Sequence, residues 1–335
     1  MRAAVLHGKE DVRIERVLLP EIAPGDLLVR VRAALTCGTD VKVFRRGYHA
    51  KMIRPPALFG HEFAGIVEIG NGRFHKGQRV VAANSAPCGD CFYCRHKREN
   101  LCDDLVFNNG AYAEFIRVPA RIAAKNTYEI PERVSFQDAA LIEPLACALK
   151  GIDDSGVRPG DTVAVIGLGS LGMFLIKSIK MRHAYAFAVG RRAEQITHAM
   201  QMGADAGSFE NNRDALNELT NGRGADVVIE AVGTPETWQL AVELVRPGGT
   251  VNFFGGPPSG ARVGLDTHRL HYSEITCKAS FHHTPDHVRR ALDLVVAGKI
   301  SAREFVQREM PLDELPGVLR ELAQKNAGLK TAILP

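Results

Sequence analysis

The sequence predicts an α/β protein with two domains, an antiparallel barrel-like β domain followed by a doubly wound parallel sheet. Three observations lead to this prediction. Residues 1 to 135 alternate short β-like runs with Gly and Pro. From Asp161 the pattern changes to a repeated order of strand, glycine turn and helix. The length of 335 residues is enough for two hydrophobic cores.

The first domain is predicted from apolar runs of strand length that are separated by turn residues. These runs are AAVL, LLVRVRAAL, AGIVEIG, QRVVAAN and EFIRV. The period then becomes helical at SFQDAALIEPLACALKGI, where Ser135 and Asp138 have the spacing of a capping box. Pro144 is expected to distort this helix and to leave Glu143 at an irregular point.

The second domain is predicted from continuous apolar strands that alternate with helices. The strands are DTVAVIG, AYAFAV, ADVVIEAVG and GGTVNFFGG, and the helices include LGSLGMFLIKSIK and TPETWQLAVELV. Two amphipathic helices, HHTPDHVRRALDLVVAGKI and PLDELPGVLRELAQ, and a short strand, KTAIL, end the sequence.

Composition narrows the class of protein. The chain is 45% hydrophobic and 24% charged, with a net charge of +4, and its Lys and Arg residues are scattered among Asp and Glu. This distribution does not favour nucleic-acid binding. The N-terminus lacks a secretory apolar core and no apolar run approaches ~20 residues, so we expect no membrane association and a cytoplasmic location.

A glycine motif indicates a dinucleotide site. Gly167, Gly169 and Gly172, with Ser170 and Leu171 between the last two, form G-L-G-S-L-G directly after the strand TVAVI and before a helix. The first glycine permits a tight turn, the second lets the backbone approach a pyrophosphate, and the third lets helix and strand pack closely. The helix N-terminus would then receive the negative charge.

The residues after the next strand predict which nicotinamide cofactor is preferred. An acidic residue here would bond the ribose 2′-hydroxyl of NAD. This chain has Gly190, Arg191 and Arg192, and the arginine fork suits a 2′-phosphate. NADP is therefore the predicted cofactor, and NAD remains the alternative if both arginines point to solvent.

Four of the seven cysteines are crowded into one segment. Their pattern is Cys88-x2-Cys91-x2-Cys94-x7-Cys102, which supplies four thiolates and closes a tetrahedral shell. A structural zinc is the predicted ligand, with free thiols or an iron–sulfur site as alternatives.

A second set of candidate metal ligands is dispersed along the chain. Cys37 lies in CGTD, His61 and Glu62 lie in GHE, and Glu143 lies in EPLA. A catalytic zinc requires three protein ligands and one exchangeable position. Taken one at a time, a lone Cys is consistent with core packing and a lone Glu with a solvated charge. Only the four residues together indicate a metal site.

At these residues the chain resembles the zinc-containing medium-chain dehydrogenase/reductase family, in particular its sorbitol, threonine and polyol dehydrogenase branch. CGTD, GHE, the four-cysteine loop, GAYAEFIRVP, EPLA, GLGSLG and EAVG occur in the family's order. The resemblance implies a GroES-like catalytic β-barrel domain from residues 1–147 and 288–335, and a Rossmann domain from residues 148–287. It places the active site in the cleft between them.

The resemblance also implies roles for individual residues. Cys37 and His61 would bind the catalytic zinc, with Glu62 and Glu143 as carboxylate ligands or exchange partners. Thr39 would begin a proton relay, and Lys42 stands where relatives carry a histidine. Contacts on the nicotinamide side are implied for Ala231, Val232, Gly233, Phe254 and Gly255. His282 and His283 follow a probable strand, where a surface or subunit-contact position is favoured over the border of the cleft.

The implied function is a reversible, zinc- and NAD(P)-dependent oxidation of a secondary alcohol in a polyol, cyclitol or sugar-like substrate to the ketone. Zinc would act as a Lewis acid on the alcohol, and two zinc ions are expected per chain. The alternatives are an amino-alcohol or simple secondary-alcohol dehydrogenase, a metal-free quinone or enone reductase, and a binding protein that keeps only cofactor and structural zinc. A homodimer or homotetramer is also implied.

Overall fold

The structure is a computed structural model that describes residues 1–49, 51–210, 212–325 and 328–335. It divides into two compact units, one formed by Met1–Ala146 with His283–Pro335 and the other by Cys147–His282. Among the described residues, no helix combines the length and the apolar character needed to cross a membrane.

The elements are numbered along the chain. The strands of the described residues are β1 (Arg2–Gly8), β2 (Asp11–Arg16), β3 (Leu27–Leu35), β4 (Ala57–Leu58), β5 (Phe63–Ile69), β6 (Arg79–Ala82), β7 (Ser85–Ala86), β8 (Val106–Phe107), β9 (Phe115–Val118), β10 (Thr127–Glu129), β11 (Thr162–Ile166), β12 (Tyr185–Gly190), β13 (Ala206–Phe209), β14 (Ala225–Glu230), β15 (Val245–Phe253), β16 (Thr276–Ala279), β17 (Val306–Pro311) and β18 (Lys330–Leu334).

The helices are α1 (Gly38–Arg46), α2 (Phe92–Arg95), α3 (Ala120–Lys125), α4 (Phe136–Ala140), α5 (Ile142–Ser155), α6 (Ser170–Met181), α7 (Ala193–Gln201), α8 (Asp214–Thr220), α9 (Pro235–Leu244), α10 (Thr267–Tyr272), α11 (Pro285–Val296) and α12 (Leu315–Lys325). Short 3-10 turns lie at Glu99–Leu101, Ala302–Glu304 and Leu312–Glu314.

The first unit is built on a mainly antiparallel sheet in the order β10-β6-β5-β3-β18-β17, with β9 also paired to β3. β3 is antiparallel to β5, β9 and β18, and β17 runs parallel to β18. The predicted runs LLVRVRAAL and KTAIL coincide with β3 and β18. The sheet confirms the predicted antiparallel β architecture, and it places the C-terminal strand beside β3.

The predicted helix after residue 134 is divided in two. Ser135 is the N-cap of α4, and its side chain accepts a hydrogen bond from the Asp138 N–H. α4 ends at Ala140 and α5 begins at Ile142. Pro144 therefore lies in the first turn of α5, where a missing N–H is tolerated. The interruption of the helix therefore falls at Leu141, and Glu143 itself lies in the first turn of α5.

The second unit is a six-stranded parallel sheet in the order β13-β12-β11-β14-β15-β16. Strand β11 is fully buried, as the continuous apolar runs predicted. Phe187, Val228 and Val251, on other strands of this sheet, belong to the hydrophobic core of the unit. The doubly wound α/β prediction is confirmed. Because all six strands are parallel, the loops after β11, β12, β14 and β15 lie at one edge of the sheet.

Candidate functional site

A cluster of a thiol, an imidazole and a carboxylate forms in the first unit beside two neighbouring strands. Cys37 follows β3 as the N-cap of α1, and His61 and Glu62 directly precede β5. β3 and β5 are neighbours, so one ligand atom from each residue lies within 4.8 Å of the others. His61 and Glu62 are buried and Cys37 is half-buried. Sulfur, nitrogen and carboxylate oxygen are the ligands that zinc takes in proteins.

Asp40 holds both Cys37 and His61. Its Oδ1 lies 3.1 Å from His61 Nδ1, and its Oδ2 accepts the Cys37 N–H at 2.9 Å. A proton on Nδ1 leaves the lone pair on Nε2, which is how carboxylates orient metal-binding histidines. Burial tends to lower the pKa of His61, but the charge of Asp40 and hydrogen bonds to Asp40 and Cys37 raise it well above its ordinary value. No local sequence pattern marks Asp40 as part of the site.

Tyr112 supports Asp40 through a buried hydrogen bond. The Tyr112 hydroxyl donates to Asp40 Oδ2 at 2.6 Å, and it also lies 3.0 Å from the Leu35 carbonyl oxygen. Burial, together with the nearby charge of Asp40, raises the pKa of Tyr112 well above its ordinary value, so the hydroxyl stays a donor. Gly60 has a φ of +90°, and a Cβ there would lie 2.5 Å from the Tyr112 ring. The glycine of the GHE segment is thus required by this ring.

Glu62 forms a fully buried ion pair with Lys330. Lys330 Nζ lies 2.5 Å from Glu62 Oε2 and donates to the Thr36 carbonyl oxygen at 3.1 Å. Lys330 is the first residue of β18, which backbone and side-chain bonds between Thr36 and Thr331 hold beside the end of β3. No local sequence pattern indicated this lysine.

The second oxygen of Glu62 provides a test of whether the cluster fits a cation. Among the described residues, Glu62 Oε1 is buried and has no hydrogen-bond partner. An unpartnered buried carboxylate oxygen is costly unless a cation or donor satisfies it. Burial raises the pKa of Glu62, while Lys330 and His61 oppose the shift. One oxygen of the Glu62 carboxylate lies within 4.8 Å of the Cys37 sulfur and a His61 nitrogen, so a zinc ion held by the three residues would offset this buried charge, and the donor set fits the metal.

Glu143 lies outside this 4.8 Å group and faces a histidine. Its Oε1 is 3.8 Å from His283 Nε2, which is 3.2 Å from Asn84 Oδ1. Burial raises the pKa of Glu143 to about 7. The favoured surface position for His282 and His283 was wrong, because both are buried, with exposed fractions of 8% and 2%. Polar loops ordinarily lie at the surface, whereas His283 lies inside the fold with Glu143 and Asn84 beside it.

Thr39 and Lys42 lie on α1 and are both half-buried. The Thr39 N–H donates to Cys37 Sγ at 3.4 Å, which places Thr39 next to the cluster. Residues three apart share a helix face, so Lys42 follows Thr39 on the same side of α1.

The four-cysteine segment curls so that its sulfurs converge within 4.8 Å of one another. A tetrahedral zinc with Zn–S bonds of ~2.3 Å places its sulfurs about 3.8 Å apart. The Cys94 sulfur lies 3.8 Å from that of Cys88 and 3.5 Å from that of Cys91. The Cys88 N–H also donates to Cys102 Sγ at 3.2 Å. This spacing and the four soft donors fit a closed zinc site.

Two of these thiols have opposite pKa shifts. Backbone N–H groups of Asp90 and Cys91 point at Cys88 Sγ and lower the pKa of Cys88 to about 6. Burial raises the pKa of Cys94 to about 12. A metal cation is what allows a buried sulfur such as that of Cys94 to be held as a thiolate.

In the second unit, the glycine motif opens a space at a helix N-terminus. Gly169 is the N-cap of α6, and a Cβ built on it meets no atom within 4 Å. A Cβ at Gly172 would lie 2.0 Å from the Gly167 carbonyl oxygen, so only glycine allows helix and turn to approach this closely. Ser170 and Leu171 form the first turn of α6. This open helix end fits a pyrophosphate.

The other predicted cofactor segments lie at the same edge of the sheet. Arg191 and Arg192 follow β12, and Arg192 is the N-cap of α7. Arg191 is exposed, and its Nε is 3.9 Å from Glu210 Oε1. The loops 231–233 and 254–255 follow β14 and β15.

A buried glutamate that the sequence analysis did not single out shapes these two loops. Glu230 Oε1 accepts the N–H groups of Val232 and Gly233, each at 2.7 Å. The Glu230 carbonyl oxygen accepts those of Phe254 and Gly255. One residue of the EAVG segment therefore fixes the backbone of both segments predicted to face the nicotinamide.

Sequence models of two protein families match the chain. The family described as alcohol dehydrogenase GroES-like domain matches residues 23–132, and the family described as zinc-binding dehydrogenase matches residues 170–297. The first match confirms the GroES-like fold of the N-terminal part.

Similar proteins cover the full length. A sorbitol dehydrogenase of Bacillus subtilis is 29% identical, with 100% of this chain and 97% of that protein aligned. A D-xylulose reductase A of Aspergillus oryzae is 26% identical, over 98% and 95%. An alcohol dehydrogenase structure from Thermus sp. ATN1 is 31% identical with a TM-score of 0.89, over 100% and 99%. A zinc-binding dehydrogenase structure from Sinorhizobium meliloti with bound NADP is 32% identical with the same TM-score and coverage.

Proposed function

This chain belongs to the zinc-containing medium-chain alcohol and polyol dehydrogenase family, and from that premise we propose that it oxidises a secondary alcohol of a polyol, cyclitol or sugar-like substrate to a ketone. The observation that carries the proposal is the convergence of Cys37, His61 and Glu62 within 4.8 Å. The sorbitol dehydrogenase and xylulose reductase relatives support a polyol substrate.

Cys37, His61 and one carboxylate, Glu62 or Glu143, would hold the catalytic zinc, and the four cysteines from Cys88 to Cys102 would hold a second zinc. When bound, the catalytic zinc supplies a Lewis acid for the alcohol oxygen, and NADP supplies the hydride acceptor. The chain's own residues keep the ligands in place. Asp40 orients the His61 ring, and the Tyr112 hydroxyl donates a hydrogen bond that holds Asp40. Lys330 forms an ion pair with one oxygen of the Glu62 carboxylate.

The proton of the alcohol needs a path to solvent, and Thr39 is proposed as its first step. The Thr39 N–H contacts the Cys37 sulfur, and Thr39 is half-buried between the cluster and solvent. Its hydroxyl can accept the proton of the alcohol and donate the hydroxyl's own proton outward. Lys42, on the same face of α1, is proposed as the outer group in place of the histidine of relatives.

Replacing Thr39 by valine is expected to lower kcat about 10²-fold, because positioned proton transfer contributes roughly 10²–10⁴-fold to rates. Valine keeps the shape of threonine and removes the hydroxyl. Thr39→Ser is the matched control and should retain most of the activity. Steady-state kinetics across pH measure the effect, and an unchanged pH profile for Thr39→Val would rule out the relay role.

NADP is proposed as the preferred cofactor because two arginines follow β12. The NADP-bound relative supports this choice. Replacing Arg191 by aspartate should raise the KM for NADP by about 10- to 100-fold, the value of a lost charge-assisted hydrogen bond, with little change for NAD. Arg158→Asp is the control, since Arg158 is exposed at the opposite edge of the sheet, before β11. Equal changes of both Michaelis constants would contradict 2′-phosphate recognition.

The function itself is tested by assaying polyols, cyclitols, amino alcohols and simple secondary alcohols with both cofactors. We expect the highest kcat/KM for a polyol-type secondary alcohol with NADP. Preference for an amino alcohol would favour a threonine-type dehydrogenase. Reduction of quinones or enones by zinc-free protein, without alcohol oxidation, would overturn the proposal.

A further inference from the structure

A large open cavity lies in the first unit, and its lining is separate from the candidate zinc ligands. It has a volume of about 710 Å³. Four arginines from separate segments line it, Arg32 on β3, Arg133 before α4, Arg303 in a 3-10 turn and Arg308 on β17. None of the residues of the two candidate zinc sites is part of the lining.

Three of these arginines have no acidic partner among the described residues. Arg308 donates to Glu321 at 2.7 Å and to Thr331. Within the part of the chain that the structure describes, Arg32, Arg133 and Arg303 form no ion pair, and all three are exposed. Arg30, two residues earlier on β3, forms an ion pair with Glu68. An arginine on this strand can therefore be paired, and Arg32 differs from Arg30 in this respect.

The two acids of the cavity wall are engaged with other groups. Asp138 accepts hydrogen bonds from the Ser135 and Ser301 hydroxyls and from the Ala302 N–H. Glu309 accepts the side-chain amide of Gln137 at 2.7 Å. These bonds anchor α4 to the 3-10 turn and to β17, and they shape the wall. The lining therefore has an excess of positive charge, with four arginines against two acids.

Unneutralised arginines that converge on a concave surface attract anions. A concavity focuses the field of its charges and raises the local concentration of counter-ions. Each guanidinium presents a planar fork that binds phosphate or carboxylate through two parallel hydrogen bonds. We propose that this cavity is a binding site for a small organic polyanion that carries two or more phosphate or carboxylate groups.

The volume and the arrangement define the ligand class further. A cavity of about 710 Å³ has room for a metabolite-sized molecule, within the usual range of small-molecule sites. Arg133 lies two residues before Ser135 and Arg303 directly follows Ala302, and Asp138 bonds to both Ser135 and Ala302, so the two arginines start from neighbouring segments of the lining. Such a pair suits a ligand with two separated anionic groups, and it is a site in addition to those for alcohol and nicotinamide.

The test measures binding of two probes to the zinc-loaded protein by calorimetry at low salt. Fructose 1,6-bisphosphate is the phosphate probe, tricarballylate is the carboxylate probe, and fructose is the uncharged control. The double variant Arg133→Gln/Arg303→Gln is expected to weaken probe binding at least about tenfold, from the loss of two charge-assisted contacts. The control Arg13→Gln/Arg320→Gln removes two exposed arginines outside the lining and should leave binding unchanged.

Repeating the titration with saturating NADP separates this cavity from the cofactor site, and binding should persist. A preference between the two probes tells phosphate from carboxylate ligands. The proposal is overturned if neither probe binds saturably, if both double variants weaken binding equally, or if NADP abolishes binding.

Discussion

Replacing Cys37 by serine is expected to lower kcat/KM by about 10³-fold or more, since a Lewis acid contributes several kcal/mol to such a reaction. The fold should persist. Cys37 is a half-buried N-cap, and serine is among the preferred residues at that position. Metal analysis should show a fall from two zinc ions per chain to one, and unfolding experiments should give a midpoint near that of the wild type.

Cys94→Ser is the matched control, because it also removes one thiol from a proposed zinc site. Here the loss should appear as instability, since Cys94 is buried and its loop is held through convergent sulfurs. Each variant should thus lose one zinc ion. Cys37→Ser should lose activity and keep its stability, whereas Cys94→Ser should lose stability. Full activity of Cys37→Ser with a single zinc would contradict the catalytic assignment.

Most of the fold was predictable because its strands are marked by local patterns. β3 and β18 match the predicted runs LLVRVRAAL and KTAIL, and the buried strand β11 lies within DTVAVIG. The glycine motif was equally local, since its spacing and position between strand and helix define the turn. The domain limits, the homo-oligomer, the cytoplasmic location and the absence of nucleic-acid or membrane binding stay predictions.

The parts of the site that were missed depend on long-range contacts. Tyr112 and Asp40 are 72 residues apart, and Lys330 and Glu62 are 268 residues apart. A lysine at the start of a strand gives no local sign that it is buried, because lysine is ordinarily exposed. His283 likewise stands in a polar segment that gives no local sign of its burial. Only the pairing of β18 with β3 brings Lys330 to Glu62.

Replacing Lys330 by methionine is expected to destabilise the zinc-free protein by about 3–5 kcal/mol, because it leaves the Glu62 carboxylate buried without its partner. Both side chains are fully buried, at 0% exposure, so solvent cannot compensate. The loss should be smaller with zinc bound, since the metal would supply a second positive charge beside Glu62. Urea unfolding of zinc-free and zinc-loaded protein measures the difference.

The double variant Glu62→Gln/Lys330→Met separates the charge from the packing. With no carboxylate left to compensate, the zinc-free double variant should recover most of the lost stability, because neither variant side chain carries a buried charge. Recovery would show that Lys330 acts through the charge of Glu62, as a double-mutant cycle can establish. If the double variant were as unstable as Lys330→Met, the loss would come from packing, and Lys330 would have no electrostatic role at the zinc cluster.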